Sequence, residues 1–137
     1  MNPTAMDWCA LIGRVVLAAL FLPAGVEKIL HLQDTIGAVT AAGMPLPNIA
    51  GPIGAVIEAV APVLLIVGLF TRFSALALIV FTAVASYYFH DYWTMVGPER
   101  MQNQGNFWKN MAVIGGLFYA LGFGAGLISI DARRARP

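Results

Sequence analysis

Residues 51–70, with the sequence GPIGAVIEAVAPVLLIVGLF, decide the fold of this chain. The stretch is almost entirely apolar and contains one carboxylate, Glu58. A helix of about twenty residues matches the roughly 30 Å hydrocarbon core of a bilayer. A charged side chain at that depth is unfavourable by about 2.5–3.5 kcal/mol even on insertion scales. We therefore expect Glu58 to have a polar partner, a function, or both.

Further apolar runs of similar length lie on either side of this stretch. They predict an all-α fold, a four-helix transmembrane bundle that forms a single domain over residues 1–137. Residues 33–42 predict a short helix in the membrane interface, and residues 94–107 predict a polar loop. The predicted spans are about 8–30, 51–70, 73–93 and 107–130.

The composition points to a membrane protein. Of the 137 residues, 59% are hydrophobic and 11% are charged, whereas a typical soluble domain has about 25% charged residues. The net charge of +1, without a basic stripe, provides no electrostatic field for a nucleic acid. We expect the lipid bilayer to be the main surroundings of the chain and nucleic acid not to be a partner.

Two features near the N-terminus bear on redox chemistry and on processing. The single cysteine, Cys9, excludes a disulfide within the chain and a CxxC motif, so dithiol chemistry would need thiols from another protein. We expect Cys9 to be a small buried hydrophobic residue. The first residues, MNPTAMD, contain no Lys or Arg, and Arg14 interrupts the first apolar run. A cleaved signal peptide is therefore not predicted.

The distribution of arginines predicts the orientation in the membrane. With four spans, the N-terminus, the 70–73 turn and the C-terminus share one side. Under the positive-inside rule, both termini are expected on the cytoplasmic side of a bacterial inner membrane. The arginines on or close to that side are Arg14, Arg72, Arg133, Arg134 and Arg136.

Polar side chains from all the predicted spans gather toward the opposite, outer face. Counting along the helices places there Lys28, Glu58, His90, Lys109 and Asn110. An unpaired charge in the apolar region would be unfavourable by several kcal/mol. We therefore expect a buried ion pair of Glu58 with Lys28 or with Lys109.

These outer residues also have a structural interpretation. The ion pair of Glu58 could lock helices together instead of forming a ligand or proton site. Lys28 and Lys109 could instead extend their ammonium groups to the membrane surface. The aromatic residues near that surface fit an interfacial belt better than a ring-stacking site, and they are Tyr87, Tyr88 and Trp93.

The inner side has its own polar residues. Arg14 is expected to anchor the first helix at the inner surface or to pair with Asp7 or Asp131. Structural ion pairs are predicted for Arg14, Arg72 and Asp131.

Cofactor and metal signals are sparse. The two histidines, His31 and His90, lie on the same predicted side, which is compatible with bis-histidine haem ligation between the first and third helices. No other feature favours haem. No third ligand favours zinc, so a metal site is not predicted. No hydrolase triad, phosphate-binding loop or dinucleotide fingerprint occurs in the sequence.

Small residues in the last apolar run predict close helix packing. The packing partner could be a helix of the same chain or a second copy. The small residues recur every four positions, at Ala112, Gly116, Ala120 and Gly124.

Several segments resemble the DoxX/DoxD-like family of membrane proteins over roughly residues 11–131. The segments are RVVLAALFLPAGVEKI, GMPLPN with IEAVAPVLLIVGLFTRFSALAL, and NFWKNMAVIGGLFYALGFGAGLISID. The positions that match the family pattern are Arg14, Gly25, Lys28, Gly43, Pro45, Glu58, Gly68, Arg72, Lys109, Asn110, Gly124, Ser129 and Asp131.

The resemblance implies a four-helix integral membrane protein. Some members of this family resemble small subunits of membrane oxidoreductases. DoxD-type members belong to thiosulfate:quinone oxidoreductases, and others associate with enzymes of thiol and oxidative-stress defence. The resemblance carries over positions, and it assigns no catalytic role to any residue.

The residues and the resemblance favour a subunit or anchor of a membrane oxidoreductase system that binds quinone or a similar small lipophile. No redox centre occurs within the chain, so an enzymatic activity would depend on a protein partner. Two alternatives stay open, a non-catalytic scaffold or assembly factor and a small transporter that forms a homo-oligomer. The ligand-binding candidates are Lys28, Glu58, His90, Lys109, Asn110, Tyr87 and Trp108.

Overall fold

In a computed structural model, residues 2–135 are described, and no β-strand occurs among them. The prediction of an all-α chain is confirmed. The helices are α1 (Ala5–Leu30), α2 (Leu32–Ala41), α3 (Pro47–Val67), α4 (Thr71–Phe89), α5 (Gly97–Phe123) and α6 (Ile130–Arg134), with a 3-10 turn at Tyr92–Thr94.

Local sequence signals explain where the long helices begin and end. Thr4 and Asp7 form a capping box at the start of α1, in which each side chain accepts a hydrogen bond from the other's backbone N–H. Pro47 opens α3, where its missing N–H is not needed. Gly68 ends α3 in the left-handed conformation, with φ of 66°.

The helices pack mainly with their neighbours in space. Helix α1 makes its largest contact with α3, and α4 makes its largest contact with α5. Helix α3 also packs against α4 and against the short α2, while α5 touches α1 over a smaller area. Antiparallel packing of α1 and α3 brings the end of α1 beside the middle of α3. Lys28 and Glu58 thereby become neighbours.

The contact between α1 and α3 depends on small residues. A Cβ atom added at Gly25 would lie 2.6 Å from the carbonyl oxygen of Glu58 and would also overlap the backbone nitrogen of Ala59. Ala55 and Ala59 of α3 are buried. Because only glycine permits this approach at position 25, the two backbones come close enough for Lys28 to reach Glu58.

Among the described residues, three regions are long and apolar enough to cross a membrane by length and composition, namely Ala5–Leu30, Pro47–Val67 and Thr71–Thr94. Apolar side chains on all three are exposed, as expected of surfaces that face lipid. The bounds of the fourth predicted span differ from those of the helix that the structure forms there. Helix α5 begins ten residues earlier than predicted and includes most of the expected 94–107 loop. Pro98 in its first turn starts the helix, and the polar side chains that follow remain helical.

The predicted stretch 107–130 does not end as one helix. Helix α5 stops at Phe123, because Gly124 adopts φ of 79°, and Gly126 also has a positive φ, of 74°. Residues 124–129 are irregular, and α6 follows them. The expectation of a short helix at 33–42 is confirmed by α2.

Two packing expectations are modified. Cys9 is exposed, not buried, because it lies on the side of α1 that α3 does not cover. The small-residue stripe of α5 packs only in part. Gly116 faces Leu17 of α1, with an added Cβ lying 3.3 Å from the leucine side chain. Ala112 is exposed.

We expect Gly25→Ala to lower the free energy of unfolding by about 1–3 kcal/mol, because the added methyl group forces α1 away from α3. The matched control is Gly13→Ala on the same helix, where nothing lies within 4 Å of the added atom. That variant should be neutral or stabilising by about 0.5–1 kcal/mol. Unfolding of both purified variants in detergent, followed by circular dichroism, makes the comparison. Equal stability of the two would contradict the close α1–α3 approach.

Candidate functional site

The most polar feature within the apolar helices is an ion pair between Lys28 of α1 and Glu58 of α3. The Lys28 ammonium donates a hydrogen bond to Oε2 of Glu58. The Glu58 side chain is 7% exposed, whereas the Lys28 side chain is 41% exposed. The carboxylate is therefore inside the helix packing, whereas the side chain of Lys28 is partly accessible.

An aromatic ring completes this cluster. The Nζ atom of Lys28 lies 5.6 Å from the centroid of the Phe81 ring of α4, within the range of a cation–π interaction. The same ring packs over Gly54, where an added Cβ would lie 3.4 Å from it. Lys28, Glu58 and Phe81 thus join α1, α3 and α4, and we call these three residues the Glu58 cluster.

The predicted pairing alternatives are resolved in favour of Lys28. Lys109 instead donates to Oδ1 of Asn106 at 3.2 Å and is exposed. Lys28 pairs with Glu58 because of its position on α1: the buried stripe of that helix, at Ala18, Phe21 and Gly25, continues to Lys28.

The other predicted ligand-binding residues have separate partners at the same end of the helices. His90 contacts Asn103 through Nδ1 and Oδ1 at 3.0 Å. Asn110 donates to the hydroxyl of the buried Ser86 at 3.0 Å, which ties α5 to α4. Tyr87 packs against its aromatic neighbours, and Trp108 packs edge-to-face on Phe107. None of these four side chains hydrogen-bonds to Lys28 or Glu58 within the described chain.

Sequence reasoning missed Phe81 and Gly54. A signal was available for the glycine, since Gly54 lies four residues before Glu58 and therefore on the same face of α3. A residue without a side chain beside a buried carboxylate leaves space for a ring from a neighbouring helix. Nothing in the sequence distinguishes Phe81 from the other apolar residues of α4.

A second polar cluster occupies the other end of the helices, around Arg14. This side chain is 2% exposed. Its Nη1 donates to the carbonyl oxygens of Leu65 at 3.0 Å and Ile66 at 3.2 Å, in the last turn of α3. Its Nη2 donates to the carbonyl oxygen of Ile128 at 2.6 Å. Arg14 therefore adds a donor to the last carbonyls of α3, where the Leu65 oxygen also accepts from the N–H of Gly68, and places a cation at the negative end of the helix dipole.

Two carboxylates hold the segment that follows α5 against this end. Asp7 accepts a hydrogen bond from the backbone N–H of Leu127 at 2.7 Å. Asp131 accepts from the N–H groups of Phe70 and Thr71, both at 2.9 Å. We call Asp7, Arg14 and Asp131 the Arg14 cluster. It connects the start of α1, the α3–α4 turn and residues 124–131.

The predicted structural ion pairs of Arg14, Arg72 and Asp131 take a different form. Arg14 and Asp131 bind backbone groups, and Arg72 donates to the carbonyl oxygen of Gly122 at 3.2 Å. Among the described residues, Lys28–Glu58 is the only ion pair within 4 Å. Helix ends and turns supply unpaired backbone groups at this location, and charged side chains satisfy them directly.

The environment of Asp131 sets its ionisation. Partial burial acts to raise the pKa of Asp131, but hydrogen bonds from Thr71 and Phe70 and the positive charge of Arg134 outweigh that effect and lower it. Both residues of the turn with positive φ, Gly68 and Phe70, bond to Asp131: the carbonyl of Gly68 accepts from its backbone N–H at 2.8 Å, and the N–H of Phe70 donates to its carboxylate. The ionised form of Asp131 therefore stabilises a turn that contains an unfavourable backbone conformation at Phe70.

Comparison with known proteins adds two findings. The model of the DoxX family matches residues 9–91. The inner membrane protein YphA of Escherichia coli strain K12 is 33% identical over 123 residues, which cover 90% of this chain and 88% of that protein. No solved structure matches the chain.

We expect Arg14→Lys to lower the free energy of unfolding by about 2 kcal/mol, because one ammonium group cannot replace a planar guanidinium that reaches two chain segments. Arg100→Lys, at an exposed position in the first turns of α5, should change it by less than about 0.5 kcal/mol. Unfolding by a denaturing detergent checks both values. A loss of equal size at Arg100 would refute the role of the backbone contacts.

We expect Asp131→Asn to destabilise the protein above about pH 4, because the neutral amide has one acceptor oxygen for the two N–H groups and turns an NH2 donor toward the other. Since the folded pKa lies below the ordinary value of about 3.9, the contribution of Asp131 is complete above that value. It is lost as the pH falls through the lowered folded pKa. Melting temperatures of wild type and variant should therefore converge at low pH. A difference in melting temperature between wild type and variant that stays constant from pH 6 to pH 2.5 would contradict this account. Asp34→Asn, at an exposed position, is the control.

Proposed function

The chain belongs to the DoxX family, and from this premise we propose that it is a quinone- or small-lipophile-binding subunit or anchor of a membrane oxidoreductase system. The single observation that supports a binding function most directly is the unequal exposure of the Lys28–Glu58 ion pair. The buried carboxylate fixes the position of Lys28, whose side chain stays partly accessible at the surface of the helices.

The proposed topology has α1, α3, α4 and α5 crossing the bilayer as a four-helix bundle, with both termini in the cytoplasm. The positive-inside rule supports this orientation. Arg14, Arg72 and Arg134 all lie at the Arg14 end, whereas the Glu58 cluster lies toward the opposite end. The Glu58 cluster is then nearer the outer surface of the membrane.

The Glu58 cluster has the chemistry that a quinone head group needs. An ammonium group carries three donors, and Glu58 uses one of them, so two remain for a carbonyl oxygen of a ligand. Reduction of a quinone takes up two electrons and two protons, and Glu58 can pass a proton from its carboxyl group to the reduced ring and then be reprotonated from water. The Phe81 ring provides a flat apolar wall. The helices expose the apolar surface along which a lipid-soluble molecule would approach.

The chain needs an electron donor in this function. With one cysteine, a single copy has no dithiol to oxidise. We propose that electrons come from a protein partner and that this chain contributes binding and a proton site. Other residues at the same end of the helices remain candidates for contact with the ligand or the partner. They are Tyr87, His90, Trp108, Lys109 and Asn110.

The test is to measure quinone that copurifies with the protein, by mass spectrometry of lipid extracts. We expect Lys28→Met and Glu58→Gln each to reduce the retained quinone by about tenfold, the factor of one lost hydrogen bond to a charged group. Arg100→Met is the control, since that arginine is exposed in the first turns of α5 and is not among the candidate residues. Undiminished retention in both Lys28→Met and Glu58→Gln would remove the cluster from the site.

A scaffold or assembly function is the second candidate, and the tight contact of Gly25 with the backbone of Glu58 favours it. In that case the ion pair serves to hold α1 on α3, which assembles a docking surface for other proteins. No quinone should then copurify with the wild-type chain. Glu58→Gln should lower the melting temperature and the recovery of partner proteins together, whereas the binding function predicts lost quinone with partner recovery retained.

A further inference from the structure

A depression of about 360 Å³ lies at the Arg14 end, between the start of α4 and the glycine turn after α5. Phe70 and Phe73 form one side of it, and Gly124 forms part of the other. Arg72 also lines the depression. The depression is distinct from the Glu58 cluster. Phe81 of that cluster lies ten residues after Thr71, which lines the depression, and ten residues of helix span about 15 Å.

Two guanidinium groups flank this depression. Arg72 is exposed and uses Nη2 for the carbonyl oxygen of Gly122, so most of its five donors remain free. The guanidinium carbon of Arg134 lies 5.8 Å from the centroid of the Phe70 ring. Neither arginine forms an ion pair within the described chain. The depression is therefore bordered by cationic donors that no carboxylate neutralises directly.

The one acidic residue that lines the depression, Asp131, interacts with the charge of Arg134 but offsets only one of the two positive charges. Both oxygens of Asp131 accept hydrogen bonds from the backbone, one from Phe70 and one from Thr71. Its negative charge is thus directed at the positive end of α4. Arg72 and Arg134 together leave a net positive charge around the opening.

Apolar rings lie next to the cations. Phe70 is 59% exposed and Phe73 is 71% exposed. Both residues lie at the end of helices that are apolar enough to cross a membrane, so under the proposed topology their rings lie at the interfacial zone, next to the acyl chains. A ligand that suits this surface has an anionic head with several acceptor oxygens and an apolar tail.

We propose that this depression binds the phosphate group of an anionic phospholipid, with Arg72 and Arg134 as its donors and Phe70 and Phe73 against the acyl chains. Guanidinium groups match phosphate oxygens in geometry and charge. A free phosphate ion could bind the same donors, but it would leave the exposed rings of Phe70 and Phe73 without an apolar partner. We therefore assign the site to a phospholipid. This proposal does not depend on quinone binding at the Glu58 cluster.

The experiment measures lipid bound to the full chain by native mass spectrometry, after delipidation in a neutral detergent. Phosphatidylglycerol, phosphatidylcholine and inorganic phosphate are added in separate titrations. We expect the wild-type chain to retain phosphatidylglycerol in preference to phosphatidylcholine. Arg72→Gln with Arg134→Gln should weaken the binding of phosphatidylglycerol roughly thirtyfold, and Arg134→Gln alone roughly fivefold.

The controls separate a built site from general charge attraction. Arg100→Gln removes an exposed arginine near the other end and should leave binding unchanged. Arg134 makes no hydrogen bond through its side chain in the described chain, so Arg134→Gln removes only its attraction to Asp131 and its contact with the Phe70 ring, and this variant should fold even if the double variant does not. Equal weakening by Arg100→Gln, undiminished binding in Arg134→Gln, or displacement of the lipid by inorganic phosphate at equal concentration would overturn the proposal.

Discussion

The structure depends on one constraint: a buried charge or backbone polar group in apolar surroundings needs a partner from the protein itself. Glu58 meets this requirement through Lys28, and the requirement explains the packing around it. Lys28 can reach the carboxylate only because Gly25 allows α1 to lie directly on the backbone of α3. The sequence of α1 therefore combines a glycine and a lysine one turn apart, on the same face.

The same constraint acts on the backbone at the other end. Helix α3 stops at Val67, and the turn after it supplies backbone donors only to the carbonyls of Leu64 and Leu65 among the last residues of the helix. Arg14 supplies further donors and also captures the carbonyl oxygen of Ile128. Residues 124–129 can therefore leave the helical conformation and fold across the helix ends. An irregular segment is tolerated there because Asp7 and Arg14 satisfy its exposed backbone groups.

Much of the fold could be predicted from the sequence, since twenty-residue apolar runs have few alternatives. Membership in the DoxX family and an inner-membrane location are confirmed. The pairing of Glu58 followed from the energy of burying a charge, and helical phase would have selected Lys28. The bounds of α5 could not be predicted, because polar residues before Asn106 are compatible with both loop and helix. The partners of Arg14 were missed for another reason: backbone carbonyls are acceptors at every position and leave no mark in a sequence.

The close α1–α3 contact and a ligand-binding function of Lys28 are compatible, although both involve the same part of the two helices. A ligand that entered between α1 and α3 would have to separate two backbones that Gly25 holds in contact. Lys28 requires no such opening, because its side chain already extends past Glu58 to the Phe81 ring and is 41% exposed. Replacing a buried ion pair with packed apolar residues is often neutral or stabilising, so the stability of the contact alone does not explain why a lysine and a glutamate meet here. Under the proposed function, the rigid contact fixes the position of the carboxylate, and the partly exposed Lys28 side chain offers its remaining donors to the ligand.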